Sequence, residues 1–323
     1  MKKSNVLRIA IIAVLSWVMA TGSAAQEFPT RPILMVVGTA AGSSADAMAR
    51  LVAGKMSKSL GQPVVVENRV GAGGAIGAAF VAKAPPDGQT ILFIFTAALV
   101  QRGLNPQNSV DPVNDFAHIG MITKSAGLLL APTSAPFKSV PELIAYAKTF
   151  PGKVDYGSAG IGSGSHYAIE AFSSKAGVKL NHVPYKGTSA LMPDLLTGRI
   201  QLYYTNAADA VPAIASGKVV PLGIIGTKRI SVLPDVPLIA DMGINLSFEP
   251  WFGLVGPKAM RPGVVDKLNA ALNVALSDAE VREWLTARSL DTVQSSPNAF
   301  AEYMRKDLAD ISEVIRQSGM KAE

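Results

Sequence analysis

Apolar and polar positions along the chain follow two periods, that of a buried strand and that of an amphipathic helix. The run RPILMVVG (31–38) is short and apolar, and SADAMARLVAGKMSKSLG (44–61) repeats apolar residues at helical spacing before a terminal glycine. The same order recurs in QPVVVENR (62–69) and AIGAAFVAKA (75–84), and TILFIFT (90–96) is a further continuous apolar run. Strands that alternate with helices predict an α/β fold with right-handed crossovers.

A second round of this alternation begins after residue 127. SVPELIAYAK (139–148) has the pattern of a helix with a serine N-cap. Further strands are predicted at LNHVPYKG (180–187), RIQLYYTN (199–206) and VVPLGIIG (219–226). Two amphipathic helices close the chain, PGVVDKLNAALNVALS and SPNAFAEYMRKDLADISEVIRQSG.

The chain order also predicts how the two rounds divide into domains. The strand-like run PWFGLVGPKAM (250–260) follows the second round, so we expect it to return to the first sheet. We therefore predict a discontinuous domain 1 over 26–126 and 250–323, and a domain 2 over 127–249. A length of 323 residues is ample for two hydrophobic cores, and a hinged cleft is expected between them.

The first 25 residues have the pattern of a secretory signal peptide. A short basic segment, MKKSNVLR, precedes the apolar run IAIIAVLSWVMA, which is too short to span a bilayer comfortably. Small residues at Ser23 and Ala25 suit cleavage before Gln26. We predict a signal peptide over 1–25 and a periplasmic mature protein. Its loss removes three basic residues and no acid, so the formal net charge falls from +6 to +3.

Composition removes several classes of function. The chain has no cysteine, which excludes disulfides and cysteine nucleophiles. Three separate histidines, His118, His166 and His182, have no metal-ligand spacing, and no basic run suggests nucleic acid. Gly-x-Ser-x-Gly is absent, so a serine hydrolase using Ser163 or Ser165 remains only a minor alternative. We expect no cofactor, no metal and no catalytic residue.

A glycine cluster follows the second predicted strand and invites comparison with nucleotide-binding turns. Gly71, Gly73, Gly74 and Gly77 give G-x-G-G-x-x-G, one residue away from the dinucleotide fingerprint. The next strand, TILFIFT, has no acidic residue at its end, and no Lys-Ser/Thr follows the glycines. The cluster is therefore interpreted as a structural turn rather than a phosphate site.

Four predicted strand-to-helix loops are rich in Gly, Ser and Thr, and they point to an anion site. They span 38–46, 95–99, 157–166 and 185–191. Such loops collect at the carboxyl edge of a parallel sheet, where ligands bind. Each offers backbone N–H groups at a helix start, which suit a carboxylate. Two lobes with such loops predict a cleft that closes on a small acid.

Four segments of the predicted mature chain have specific sequence patterns: GQPVVVENRVGAGG, VDYGSAGIGSGSHYAIEAF, VPYKG and WFGLVGPKAMRPGVVDKLNAAL. In these segments and in their order, the whole predicted mature chain resembles the tripartite tricarboxylate transporter substrate-binding proteins, the Bug family of periplasmic receptors. The resemblance implies a two-domain α/β fold of the type II periplasmic-binding-protein class, each domain a mostly parallel sheet flanked by helices. It also implies a carboxylated ligand in the cleft between the domains.

The resemblance carries over to individual positions of this sequence. The first ligand loop of the family has its counterpart at Ala41-Gly42-Ser43-Ser44-Ala45-Asp46, where the family's Pro and second Gly are replaced and Asp46 is expected to hold the loop. The segment after the third strand departs further from the family. The complete set of implied ligand-binding residues is Ala41, Gly42, Ser43, Ser44, Asp46, Thr96, Ala97, Gly162, Ser163, Gly164, Ser165, His166, Tyr185, Gly187, Thr188 and Asn206.

The combined interpretation is a solute-binding protein without catalysis. It predicts capture of a di- or tricarboxylate, an amino acid or an aromatic acid, and delivery to the membrane subunits of a tripartite tricarboxylate-type transporter. We expect a monomer in the periplasm. A two-lobed sensor that feeds a signalling protein remains the main alternative.

Overall fold

A computed structural model describes residues 28–107 and 110–321 as two β-sheets flanked by helices. The predicted signal peptide therefore lies outside the described residues. We call the six-stranded sheet with its helices the first lobe, and the five-stranded sheet with its helices the second lobe. No helix within the described ranges is long and apolar enough to cross a membrane.

The first-lobe sheet has the strand order β11-β4-β10-β3-β1-β2. Strands β2, β1 and β3 are parallel, and β10 runs antiparallel to both β3 and β4, so β1 to β4 all run in one direction. Its strands are β1 (Ile33–Val37), β2 (Val64–Asn68), β3 (Thr90–Phe95), β4 (Phe116–Lys124), β10 (Trp251–Pro257) and β11 (Asp291–Thr292).

The second-lobe sheet has the order β7-β6-β8-β5-β9. Here β6, β7 and β8 are parallel, and β5 runs antiparallel to its neighbours β8 and β9. Both sheets are thus mixed rather than mostly parallel, because one strand in the interior of each, β10 or β5, runs against both of its neighbours. Its strands are β5 (Gly127–Pro132), β6 (Asp155–Ser158), β7 (Asn181–Pro184), β8 (Leu202–Asn206) and β9 (Val219–Ile225).

Helices cover the faces of both sheets, and side-chain caps fix where several of them begin. A serine hydroxyl accepts a backbone N–H at the start of four helices, as the N-cap preference of serine predicts. The helices are α1 (Ser44–Leu60), α2 (Ala75–Ala82), α3 (Ala97–Leu104), α4 (Val140–Thr149), α5 (Gly164–Ala176), α6 (Thr188–Leu196), α7 (Ala207–Ala215), α8 (Pro262–Ser277), α9 (Ala279–Thr286) and α10 (Pro297–Ser318).

Apolar packing connects the two lobes. One buried cluster lies between the first sheet and helices α1 and α8. A larger cluster continues from the first lobe into the second, and it includes Trp251, Phe300 and Tyr204. Two chain crossings join the lobes, and there Ser125 N donates to Pro250 O at 2.9 Å. The first sheet uses strands from residues 33–124 and 251–292, and the second uses strands from residues 127–225.

The sequence patterns missed several elements. Strand β4, the short strand β11 and helix α9 were not predicted, and helix α3 was expected only as a helix start after the loop at 95–99. Strand β4 includes FAHIGMITK, whose mixed polarity hides its pairing with β10 on one side and β11 on the other. Helix α3 spans only eight residues and begins without a side-chain cap, so it lacks the usual start signal.

Candidate functional site

The candidate residues lie where five strands end. They follow β1, β3, β6, β7 and β8, in the loops or in the first turns of the helices that come next. Strands β1 and β3 belong to the first lobe and β6 to β8 to the second. The loops therefore collect at the carboxyl edge of each sheet, which is the ligand-binding edge of α/β folds.

The first-lobe loop after β1 is shaped by hydrogen bonds around Ser43. The Ser43 hydroxyl caps helix α1 by accepting the backbone N–H of Asp46 at 3.2 Å, and it lies 3.0 Å from the hydroxyl of Thr39. Gly42 adopts a left-handed φ of 80°, which favours glycine at this turn. Ser44, with Ala41 and Gly42 beside it, is exposed. Helix geometry leaves the first amides of α1, at Ser44 and Ala45, without intrahelical acceptors.

Asp46 is part of the loop's framework. Its carboxylate accepts from Gly42 N at 2.9 Å, from Asn68 Nδ2 at 2.9 Å and from Arg50 Nε at 3.0 Å. The side chain is almost fully buried. Burial acts to raise the pKa of Asp46, but the hydrogen bonds from Arg50, Gly42 and Asn68 outweigh it and hold that pKa below its ordinary value. The carboxylate thus ties the loop to helix α1 and strand β2.

Thr96 and Ala97 are buried at the start of helix α3. Thr96 binds the backbone of the crossing strand β10: its hydroxyl accepts from Trp251 N at 2.7 Å and donates to Trp251 O at 3.3 Å. The hydroxyl proton and one lone pair of Thr96 are therefore engaged within the lobe. These bonds anchor Thr96 to strand β10 and position the start of helix α3.

The second-lobe loop after β6 carries the most compact group of predicted residues. The Ser163 hydroxyl caps helix α5 by accepting His166 N at 3.3 Å, and the Ser165 hydroxyl accepts Ala159 N at 3.0 Å. Gly162 N donates to His166 Nδ1 at 3.1 Å. The amides of Gly164 and Ser165, the first two of the helix, have no intrahelical acceptor. They form the free donor pair of this loop.

The buried ring of His166 stabilises the loop. Its ring stacks on His182 with centroids 4.0 Å apart and planes 7° apart. Burial, together with the charge of His182, lowers the pKa of His166 to about 3. The ring is therefore neutral near pH 7, and since Nδ1 accepts from Gly162, its proton resides on Nε2. Ser163 and His166 both shape the loop: the Ser163 hydroxyl bonds the backbone of His166 and not its ring, so these two residues do not form the Ser-His pair of the hydrolase alternative.

The remaining second-lobe candidates are also anchored. Tyr185 donates from its hydroxyl to Asp194 Oδ2 at 2.6 Å, and burial with that bond raises the pKa of Tyr185 to about 12. Gly187 has a φ of 101° at the start of helix α6. The Thr188 hydroxyl lies 3.0 Å from the hydroxyl of Tyr203, and Asn206 caps helix α7.

One residue that sequence reasoning missed joins the two edges. Gln101, on helix α3 of the first lobe, donates from Nε2 to the carbonyl oxygen of Ile161 in the second-lobe loop at 3.1 Å. A Cβ on Gly38, directly after β1, would lie 2.7 Å from the Cα of Gly74, and one on Gly73 would lie 3.1 Å from Gln101 Nε2. The glycine cluster thus lies next to Gln101, and Gln101 lies next to the second-lobe loop that follows β6 and leads into helix α5, which we call the α5 loop.

Two α/β lobes that meet at their loop-bearing edges define the class of a two-lobed solute-binding protein. Residues 48–320 match the model of the family described as Tripartite tricarboxylate transporter family receptor, and the chain belongs to this family. It is therefore a solute-binding receptor and not an enzyme. Both the predicted family and the predicted fold class are confirmed.

Three relatives match this chain over about nine tenths of its length or more. BugT of Bordetella pertussis is 32% identical over 324 residues, which cover 99% of each protein. The solved structure of MatC from Rhodopseudomonas palustris with bound malate is 31% identical, with a TM-score of 0.82 over 89% of this chain and 100% of that one. A second R. palustris structure, with adipate, is 30% identical, with a TM-score of 0.84 over 91% and 99%.

Proposed function

We propose that this receptor captures a small carboxylate in the periplasm and delivers it to the membrane subunits of a tripartite tricarboxylate-type transporter. The carrying observation is the pair of serine-capped helix starts, at Ser43 and Ser163, one in each lobe. Each is preceded by a loop and leaves free amides in its first turn. Such amides, at the positive end of a helix dipole, suit a carboxylate.

The second-lobe start supplies the more complete carboxylate site. Gly164 N and Ser165 N are the free donors. Ser163 and Gly164 are half-buried, so this part of the loop is only partly covered. A charge-assisted hydrogen bond contributes about 1.5–3 kcal/mol, so two of them provide a large part of micromolar affinity. The first-lobe amides of Ser44 and Ala45 would meet a second carboxylate or another polar end, with water filling gaps.

The solved relatives support an acid as the ligand. MatC is bound to malate and the second R. palustris protein to adipate, and both acids have two carboxyl groups. Two carboxylates match two helix starts on opposing lobes. Aromatic acids and amino acids keep at least one carboxylate and fit the same second-lobe donors.

Delivery requires that the loaded receptor differ from the empty one. We propose that the chain divides into domain 1 (26–126 and 250–323) and domain 2 (127–249), and that these close about the two crossings near Ser125 and Pro250. Closure buries the ligand, and the membrane partner binds the closed monomer in preference to the open one. Export through cleavage before Gln26 places the receptor where that partner lies.

A thermal-shift screen over carboxylates tests the proposal. The panel contains malate, adipate, glutamate, benzoate and nicotinate, and each acid is paired with its neutral amide. A ligand present at about 100 times its Kd stabilises the folded state by roughly 2.7 kcal/mol. We expect at least one acid to raise the melting temperature and its amide to have no effect. A response to the amides alone would overturn the carboxylate assignment.

A further inference from the structure

Gln101 makes a contact between the two lobes that no sequence motif anticipated. It lies on helix α3 of the first lobe, half-buried, and its amide reaches the loop that leads into helix α5 of the second lobe. The Nε2 atom donates to Ile161 O at 3.1 Å. Ile161 directly precedes Gly162, whose own N–H is held by His166. The bond therefore fixes one peptide of the predicted anion loop from the opposite lobe.

Glycines flank the Gln101 amide on both sides, and side chains there would collide with it. A Cβ on Gly162 would lie 2.2 Å from Gln101 Nε2, and a Cβ on Gly73 would lie 3.1 Å from the same atom. Both glycines also have left-handed φ angles, 72° and 64°. The glycine cluster that resembles a nucleotide turn thus leaves a slot through which one amide passes between the lobes.

We propose that Gln101 is a positioning residue that holds the lobes together at the cleft and fixes the α5 loop in its anion-binding form. The slot formed by Gly73 and Gly162 leaves room for its side chain, and the left-handed φ of both glycines keeps that slot free of a Cβ. A neutral amide donor suits this place because it satisfies the Ile161 carbonyl without adding a charge beside the carboxylate donors. The consequence for ligand affinity rests on the proposed function, whereas the loop positioning does not.

The test measures hydrogen exchange of the peptide that covers residues 161–166, without ligand and with rates corrected for intrinsic exchange. We expect Gln101→Ala to lower the protection of this peptide about three- to tenfold, the loss of one hydrogen bond. Gln317→Ala is the matched control, because Gln317 is a glutamine at the end of helix α10 that bonds only locally to Glu313. It should leave the peptide unchanged.

Gln101→Glu separates the bond from mere packing. The introduced carboxylate has the same shape but cannot donate to Ile161 O near pH 7, and it regains a donor when protonated, at or below about pH 4.3 to 5. We expect protection, relative to wild type at the same pH, to be lost at pH 7 and to recover near pH 4. Unchanged protection in Gln101→Ala, an equal change in Gln317→Ala, or no pH-dependent recovery would overturn the proposal.

A double-mutant cycle gives a second, independent measure. Gly162→Ala alone should lower the free energy of unfolding for two reasons: its Cβ would contact Gln101, and alanine is strained at a left-handed φ. In the Gln101→Ala background only the strain remains, so we expect the cost of Gly162→Ala in urea unfolding to be smaller there. If the costs of Gly162→Ala and Gln101→Ala in unfolding free energy were additive, the proposed contact between Gln101 and position 162 would be contradicted. Neither readout uses a ligand, so a failure here is distinct from a failure of the carboxylate screen.

Discussion

Valine at Gly164 is the substitution that bears most directly on the second-lobe site. Gly164 is the first residue of helix α5, and its backbone is not left-handed, so other residues can adopt it. A Cβ there would meet Phe248 Cζ at 3.5 Å, an ordinary contact. The fold should therefore accept the change. Phe248 occupies one side, so we expect the valine methyls to turn toward the space before the Gly164 and Ser165 amides.

The magnitude follows from the hydrogen bonds that the methyls would block. Each charge-assisted bond from an amide to a carboxylate contributes about 1.5–3 kcal/mol. Loss of one such bond weakens binding at least tenfold, or ~1.4 kcal/mol. Gly164→Ala adds only the Cβ and should weaken binding less. The order wild type, alanine, valine is therefore the expected order of decreasing affinity.

Calorimetric titration of the best ligand from the acid panel measures the three affinities. Gly263→Val is a matched control, because Gly263 lies in the first turn of helix α8 with nothing within 4 Å of its Cβ position. Helix α8 follows β10, which runs antiparallel to β3, so this control lies at the opposite edge of the sheet. A folded Gly164→Val protein that binds as tightly as wild type would refute this loop as the anion site.

Substitutions at three further residues test the framework. Asp46→Ala should cost about 1–3 kcal/mol in urea unfolding, because it removes the hydrogen bonds that a buried carboxylate accepts from Gly42, Asn68 and Arg50. Since the folded pKa of Asp46 lies below 3.8, wild type but not Asp46→Asn should lose this stabilisation as pH falls through that pKa. Burial raises the pKa of Asp307, on helix α10, from 3.8 to about 6. This shift corresponds to a change of at most about 3 kcal/mol in the free energy of unfolding with pH. Between those pH values the folded state keeps this proton while the unfolded chain releases it, so the free energy of unfolding should fall as pH rises through that window. Asp307→Asn should abolish the fall, and its side-chain carbonyl can still accept from Trp251 Nε1. An Asp307→Asn protein with the same pH profile as wild type in unfolding titrations would contradict this reasoning. Thr96→Val should cost about 1–3 kcal/mol by leaving Trp251 N unpaired, yet a folded variant should keep its ligand affinity, and a large rise in Kd by calorimetry would return Thr96 to the ligand site.

Local signals in the sequence predicted those parts of the fold that depend on nearby residues. The serine cap of α4 follows from short-range chemistry, since the Ser139 hydroxyl accepts the Glu142 amide three residues ahead. The apolar runs of β1 and β3 reflect burial on both faces of a sheet. Loops that follow such strands could therefore be assigned to one edge of each sheet from the amino-acid pattern alone.

Long-range contacts could not be predicted from such signals. Gln101 is an ordinary polar residue on a short uncapped helix, and its partner Ile161 lies 60 positions away. Thr96 has the residue type of a ligand contact, but its hydroxyl is engaged by Trp251, 155 positions away. The sequence shows the glycines at 73 and 162, but only the assembled lobes show that the Gln101 side chain lies beside both of them.

The most direct test of carboxylate capture is calorimetric titration of the purified receptor, stripped of any retained ligand, with malate, adipate, benzoate and their neutral amides. A receptor with free amides at α5 should bind at least one acid with a stoichiometry of one and should reject the matching amide. Affinity for the acid should fall at least about tenfold in Gly164→Val. Binding of an acid and its amide with equal affinity, or an acid affinity untouched by Gly164→Val, would contradict the account.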